Sequence, residues 1–211
     1  MSKYLFFDLE YATCKTNSIK ICEFGYVLTD EKFEIIEKNN LIINSGIEVK
    51  AWDKYALKNI LTRTREYYES CPSFEDYYPQ IKGLINGACY VIEFSFKRDV
   101  RALNGECKRY ELPSIDYKFC DTQEIYKVIT NTKDIVGLAN MLKKLDVERK
   151  DLVHDAANDA YNTMLALKKM LQVSEISFQS LIKKHPTVVV KTQGFVIKSN
   201  KGFDADKKKI V

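Results

Sequence analysis

The first 43 residues hold three strand-like segments and no helical period, and that opening constrains the fold more than any other feature. Leu5-Phe6-Phe7 is a short apolar run that stops at Asp8, the pattern of a first buried strand. Segments 19–29 and 33–43 are rich in β-branched and aromatic residues, and Asp30-Glu31-Lys32 between them has turn chemistry. An antiparallel three-stranded start follows. Beyond it the pattern changes. Ser73 is a helix N-cap, with Phe74, Tyr77, Ile81 and Leu84 at helical spacing behind it. Residues 88–94 read as a fourth strand, followed by a helix carrying Val100 and Leu103, and 117–120 as a fifth strand. Helices are then expected at about 122–130, 134–145, 157–171 and 177–184. In the longest, Ala160, Met164, Leu167 and Leu171 form one apolar face. Strands first, then strands alternating with helices, predict an α/β chain with a mixed five-stranded sheet flanked by helices. Segment 187–198, with apolar runs on either side of Gln193-Gly194, is a candidate hairpin added after that core. With no repeat or linker before about residue 172, the expected division is a domain at 1–172. A C-terminal helix, hairpin and short basic extension then fill 173–211.

Composition serves mainly to exclude. The 211 residues are 45% apolar and 29% charged, an ordinary globular balance. No apolar run approaches the roughly 20 residues of a membrane span, so no membrane partner is expected. Acidic residues come too early in MSKYLFFDLE for a secretory signal. Cysteines 14, 22, 71, 89, 107 and 120 form no C-x-x-C pair, which predicts reduced, mostly buried thiols and a cytoplasmic protein. The net charge is +4, yet residues 183–211 alone carry +6 and the rest of the chain −2. That basic tail is either an arm for phosphates, with salt-sensitive affinity, or a solvated terminus.

Three groups of residues carry chemistry. Asp8 and Glu10 stand two apart at the end of an apolar strand, so their carboxylates share a face. Such a pair repels, and hard oxygen donors of this kind suit Mg²⁺ or Mn²⁺. In His154-Asp155-Ala156-Ala157-Asn158-Asp159, the histidine and last aspartate fall on different faces of a continuous helix. They converge only if His154 precedes a helix that Asp155 caps, and the alanines let such a helix pack closely on a sheet. Finally, Phe94-Ser95-Phe96-Lys97-Arg98-Asp99 follows the fourth strand, where a strand-to-helix junction opens onto the sheet end.

Taken in order, D-x-E on the first strand, Asp99 with Leu103 four residues on, and a late H-x-A-x-x-D resemble the DEDDh 3′→5′ exonucleases. The resemblance spans about residues 4–172. Cys22-Glu23-Phe24-Gly25, Cys71-Pro72-Ser73-Phe74 and Asp121-Thr122 agree with it. It implies a ribonuclease H-like fold and a catalytic quintet of Asp8, Glu10, Asp99, His154 and Asp159. It also implies two divalent ions, Mg²⁺ or Mn²⁺. Asp8 would touch both, Glu10 and Asp159 would complete one shell, and Asp99 would serve the other. His154 would take the proton of the attacking water. The substrate would be the 3′ end of single-stranded RNA or DNA, released as nucleoside 5′-monophosphates.

This chain also departs from the pattern. Phe94-Ser95 stands where relatives often carry His-Asn. Tyr11-Ala12-Thr13-Cys14 looks like the Ala-Thr-Cys of some exoribonucleases with one residue added. Tyr11, Ala12, Thr13, Phe94 and Ser95 are therefore expected beside the terminal nucleotide, and the Ala-Thr-Cys likeness tips the expectation towards RNA. The alternatives are a DNA trimming or proofreading nuclease, with the tail docking a polymerase or other protein partner, and a module that binds without cutting.

Overall fold

The structure is a computed structural model that describes residues 2–13, 19–150 and 154–199, with the side chains of Thr13 and Ser199 outside that set. Its centre is β1 (Lys3–Thr13). Leu5, Phe7 and Leu9 enter one core and Tyr4 and Phe6 another, so both faces of this strand are covered and its sequence is apolar without alternation. β1 pairs antiparallel with β2 (Ile19–Asp30), which pairs antiparallel with β3 (Ile35–Ile42). The turn is longer than Asp30-Glu31-Lys32. Asp30 Oδ1 accepts from the amides of Lys32 and Glu34, Phe33 is buried with φ +64°, and β3 starts two residues later than expected.

From β3 the chain makes an excursion that the sequence pattern did not reveal: a 3₁₀ turn at Val49–Ala51, α1 (Lys54–Asn59) and α2 (Arg65–Glu69). These pieces are too short for a legible period. Tertiary contacts hold them: Trp52, Ala56, Leu61 and Tyr68 form a small core with Ala12 and Cys22 at the far end of β1 and β2. α3 (Phe74–Gly87) opens with a capping box between Ser73 and Asp76 and buries Phe74, Tyr78, Ile81 and Ile85, with Tyr77 and Leu84 flanking that stripe. β4 (Tyr90–Glu93) lies parallel to β1, and β5 (Lys118–Asp121) parallel to β4, with α4 (Lys97–Arg109) between them.

The remaining helices, α5 (Thr122–Thr130), α6 (Leu138–Lys144), α7 (Ala156–Val173) and α8 (Phe178–Lys184), cover the other face. The helix expected at 134–145 begins only at Leu138, behind an N-cap at Gly137; Val136 is buried ahead of it and Ile135 is exposed. Ala160, Met164, Leu167 and Leu171 form the buried face of α7 as expected.

Among the described residues the sheet has seven strands, not five, in the order β3-β2-β1-β4-β5-β6-β7. β6 (Val189–Gln193) and β7 (Val196–Ser199) form the hairpin and pair antiparallel beside β5, turning through Gly194 and Phe195, both with positive φ. Buried Thr192 fastens this hairpin by accepting from the Tyr117 amide and donating to the Ile115 carbonyl. The basic tail beyond residue 199 lies outside the described residues. Among those described, no helix is long and apolar enough to cross a membrane.

Candidate active site

The site forms where α7 meets the sheet. Asp8 pairs with Gly25 across β1 and β2, and opposed residues in an antiparallel pair point to the same side. A Cβ on Gly25 would lie 1.9 Å from the Ala157 amide nitrogen, so the first turn of α7 touches the β2 backbone. Only glycine fits there, and only small residues at 156 and 157 allow the approach. Asp155 caps the helix by accepting from the Asn158 amide at 3.0 Å, leaving His154 in the preceding loop with φ +64°. The loop-then-helix geometry expected for His154 and Asp159 is thus present.

Asp99 arrives from the opposite side, in the first turn of α4. That junction is fixed by Asp121, whose Oδ1 accepts from the amides of Ser95 at 3.2 Å and Gln123 at 2.8 Å. Asp8, Glu10, Asp99, His154 and Asp159 all line one cleft of about 380 Å³. Donor atoms of Glu10, His154 and Asp159 lie within 4.8 Å of one another, and His154 Nδ1 is 3.6 Å from Glu10 Oε1. Arg149 Nη2 lies 2.7 Å from Asp159 Oδ1.

Too much negative charge is gathered here for too little cation. Burial first, then Asp99, Asp159 and Glu23, push the Asp8 carboxyl well above the usual range. Burial, Asp8 and Asp159 drive Glu10 up to about 9. Asp99 is raised by burial, Glu93 and Glu10, with Arg98 pulling the other way. Asp159 is raised by burial against the opposing pull of Arg149 and His154. Hard oxygen donors that repel one another around an imidazole fit a divalent cation such as Mg²⁺ or Mn²⁺.

Among the other expected contacts, Tyr11, Phe94 and Ser95 line the cleft. Ser95 has φ +63°, a left-handed turn that aims the chain from β4 into α4. Ala12 does not join them. It is completely buried against Trp52, Ala56 and Tyr68, because β1 runs on past the cleft and beneath α1 and α2. The Thr13 side chain and Cys14 lie outside the described residues.

Sequence reasoning missed Leu9, Ile60 and Arg98 in the lining, and Arg149 on Asp159. No spacing announces a role for any of them, although Leu9 and Arg98 lie inside the quoted D-x-E and Phe94–Asp99 motifs. Two buried carboxylates behind the cleft were also unforeseen in role. Glu23 Oε2 accepts from Asn40 Nδ2 at 2.7 Å, and its Oε1 from Thr62 Oγ1 and Arg63 Nη1 and from the Tyr68 hydroxyl. That network ties the excursion helices to β2. Glu93 opposes Asp121 across β4 and β5 and accepts from the Tyr117 hydroxyl.

Comparison with known proteins agrees with this fold. Residues 53–170 match the family described as DNA polymerase III subunit epsilon-like, C-terminal domain (DEDDh). A search of curated proteins gives no match. Among solved structures, a 3′-exonuclease recognising the 3′ end of histone mRNA stem-loop is similar, with TM-score 0.74 and 17% identity over 96% of this chain and 71% of that one. The cell-death related nuclease CRN-4 has TM-score 0.69 and 14% identity, over 95% and 81% of the two chains. E. coli Exonuclease I bound to a dA16 oligonucleotide has TM-score 0.67 and 16% identity, over 87% and 43%. At these identities the likeness establishes a shared fold. The family match spans more than half of the sequence, and the chain belongs to the DEDDh family of 3′-exonucleases, which are metal-dependent hydrolytic nucleases.

Proposed function

We propose that this protein removes nucleotides one at a time from the 3′ end of single-stranded nucleic acid, RNA in preference to DNA, using two divalent cations. The observation that carries the proposal is the meeting of Asp8, Glu10, Asp99, His154 and Asp159, far apart in sequence, in one cleft. Asp8, Glu10 and Asp159 would hold one cation, and Asp8 with Asp99 the second. When bound, the cations supply Lewis acidity for the attacking water and the leaving 3′ oxygen.

The chain's own residues do the rest. His154 has a side chain 48% exposed, so its imidazole reaches water at the cleft mouth and takes the proton of the attacking molecule there. Phe94 and Tyr11 are partly buried in core yet line the cleft, and offer ring faces to the terminal base, worth about 1–3 kcal/mol per stacked base. Arg98, set against Tyr11, gives a positive contact for the phosphate behind the scissile bond. The preference for RNA is supported by the Ala-Thr-Cys likeness after Glu10 and by the histone mRNA bound by a protein of the same fold.

A time course on 5′-labelled RNA, DNA and chimeras with mixed 3′ sugars, with and without EDTA, tests polarity, metal dependence and sugar preference together. Stepwise shortening from the 3′ end, faster on a 3′ ribonucleotide and abolished by EDTA, is expected. Faster DNA shortening would reverse the substrate assignment. Cleavage that persists in EDTA would remove the metal mechanism.

A further inference from the structure

The loop between α6 and α7 delivers a cation to the one carboxylate that α7 contributes. Arg149 Nη2 contacts Asp159 Oδ1 at 2.7 Å, and both side chains are largely buried, 25% and 13% exposed. The loop is clamped next door. Fully buried Asn162 accepts from the Lys150 amide and donates to the Lys150 carbonyl, each at 3.0 Å, as another peptide group would. Arg149 is therefore rooted beside a fixed point, and only its side-chain rotamers remain to be ordered when the guanidinium sits at Asp159.

Two features set this pair apart from an ordinary ion pair. The Asp159 oxygens face the cleft that Glu10 and His154 share, within reach of one common ion. Among the described residues Arg149 Nε is also buried without an acceptor, so Asp159 is held through Nη2 and not through the paired Nε–Nη2 edge. An arginine placed to lock a carboxylate structurally usually uses both prongs of its fork. Here a donor is left over beside a carboxylate that lines the cleft, and the cleft's proposed substrate is an anion.

We propose that Arg149 is a positioning residue that holds Asp159 in the metal-free protein, gives up that oxygen to a divalent cation, and then turns its donors to the substrate phosphate. The inference rests on the metal-dependent reading above. Because guanidinium and metal compete for one carboxylate, the cleft binds metal less tightly than its donor set allows. A phosphate that captures the freed guanidinium reverses that loss. Metal and nucleotide consequently bind cooperatively, each strengthening the other by the same factor.

Calorimetric titration of the full chain with Mn²⁺, with and without adenosine 5′-monophosphate, tests this in the wild type, Arg149→Gln, Arg149→Lys and Asp159→Asn. Without nucleotide, Arg149→Gln should bind Mn²⁺ about fivefold tighter than the wild type. The nucleotide should tighten Mn²⁺ binding in the wild type and have little effect in Arg149→Gln. Arg149→Lys keeps the charge without the fork, so its Mn²⁺ affinity should stay near wild type while the coupling shrinks. It carries the test if the glutamine variant does not fold. Wild-type Mn²⁺ affinity and wild-type coupling in the Arg149 variants would overturn this proposal alone. A wild type that binds no Mn²⁺, or Asp159→Asn that binds it unchanged, would instead strike the metal reading and this proposal with it.

Discussion

Asp8 shows what the cleft costs the fold and what it gains. Its carboxyl sits between Asp99 and Asp159 and is held far above its usual range by burial and by both neighbours. Asp8→Asn should lower nucleotide release at least about a thousandfold. The same change should raise the melting temperature of the metal-free protein by about 2–4 °C for each kcal/mol of repulsion removed. A single-turnover assay and a melt in EDTA read both; retained release would remove Asp8 from the chemistry. Glu10 predicts a pH dependence of definite sign. Its carboxyl is raised from 4.5 to about 9, so the folded state binds a proton that the unfolded state has already lost. The stabilisation is complete below about pH 4.5 and fades as pH climbs towards 9. Urea midpoints in EDTA should fall between pH 5 and pH 9 more steeply for the wild type than for Glu10→Gln. Equal slopes would mean that the carboxyl titrates normally.

At the scale of elements, the seating of α7 on β2 decides whether the site exists. Gly25→Ala would force a Cβ to 1.9 Å from the Ala157 amide, and backbone cannot yield as a flexible side chain would. We expect a loss of about 1–3 kcal/mol, with α7 lifted and nucleotide release gone even under conditions where the chain stays folded. Denaturation paired with the release assay checks this; an active, fully stable Gly25→Ala would show that the contact is not needed. Half of this contact was legible beforehand, in the alanines at 156, 157 and 160, which are small where a close approach requires it; that Gly25 receives them was not. α1 and α2 were not legible. At six and five residues they carry no complete apolar period, and they exist because Trp52 and Tyr68 find a core and Glu23 collects their polar groups.

Across the whole molecule, the C-terminal hairpin makes the sheet wider than its five core strands. Thr192 links β6 to the segment entering β5 through two buried hydrogen bonds. Thr192→Val leaves the Tyr117 amide and the Ile115 carbonyl without that partner, at an expected cost of about 1–3 kcal/mol. Because Thr192 does not line the cleft, nucleotide release at temperatures well below the melt should hardly change. A chemical denaturation curve beside a release assay measures both, and a large loss of release without destabilisation would place the hairpin in the substrate path. Divalent metal acts at the same scale, since any ligand of the folded state raises its melting temperature. Millimolar Mn²⁺ should raise that of the wild type and have much less effect on Asp159→Asn.

The sequence by itself determined the secondary-structure order of most of the sheet, the face of α7 and the five side chains of the cleft. The order and the helix face follow from local patterns of apolar, capping and small residues, whereas the set of five, Asp99 above all, was legible only through the family resemblance. Tertiary structure alone decided that Ala12 is core, that Arg149 reaches Asp159, that Glu23 anchors two short helices and that the hairpin joins the sheet. Those outcomes depend on contacts between residues 10 to 77 positions apart, and one-dimensional periodicity carries no record of which distant segment fills a given space or satisfies a given buried charge.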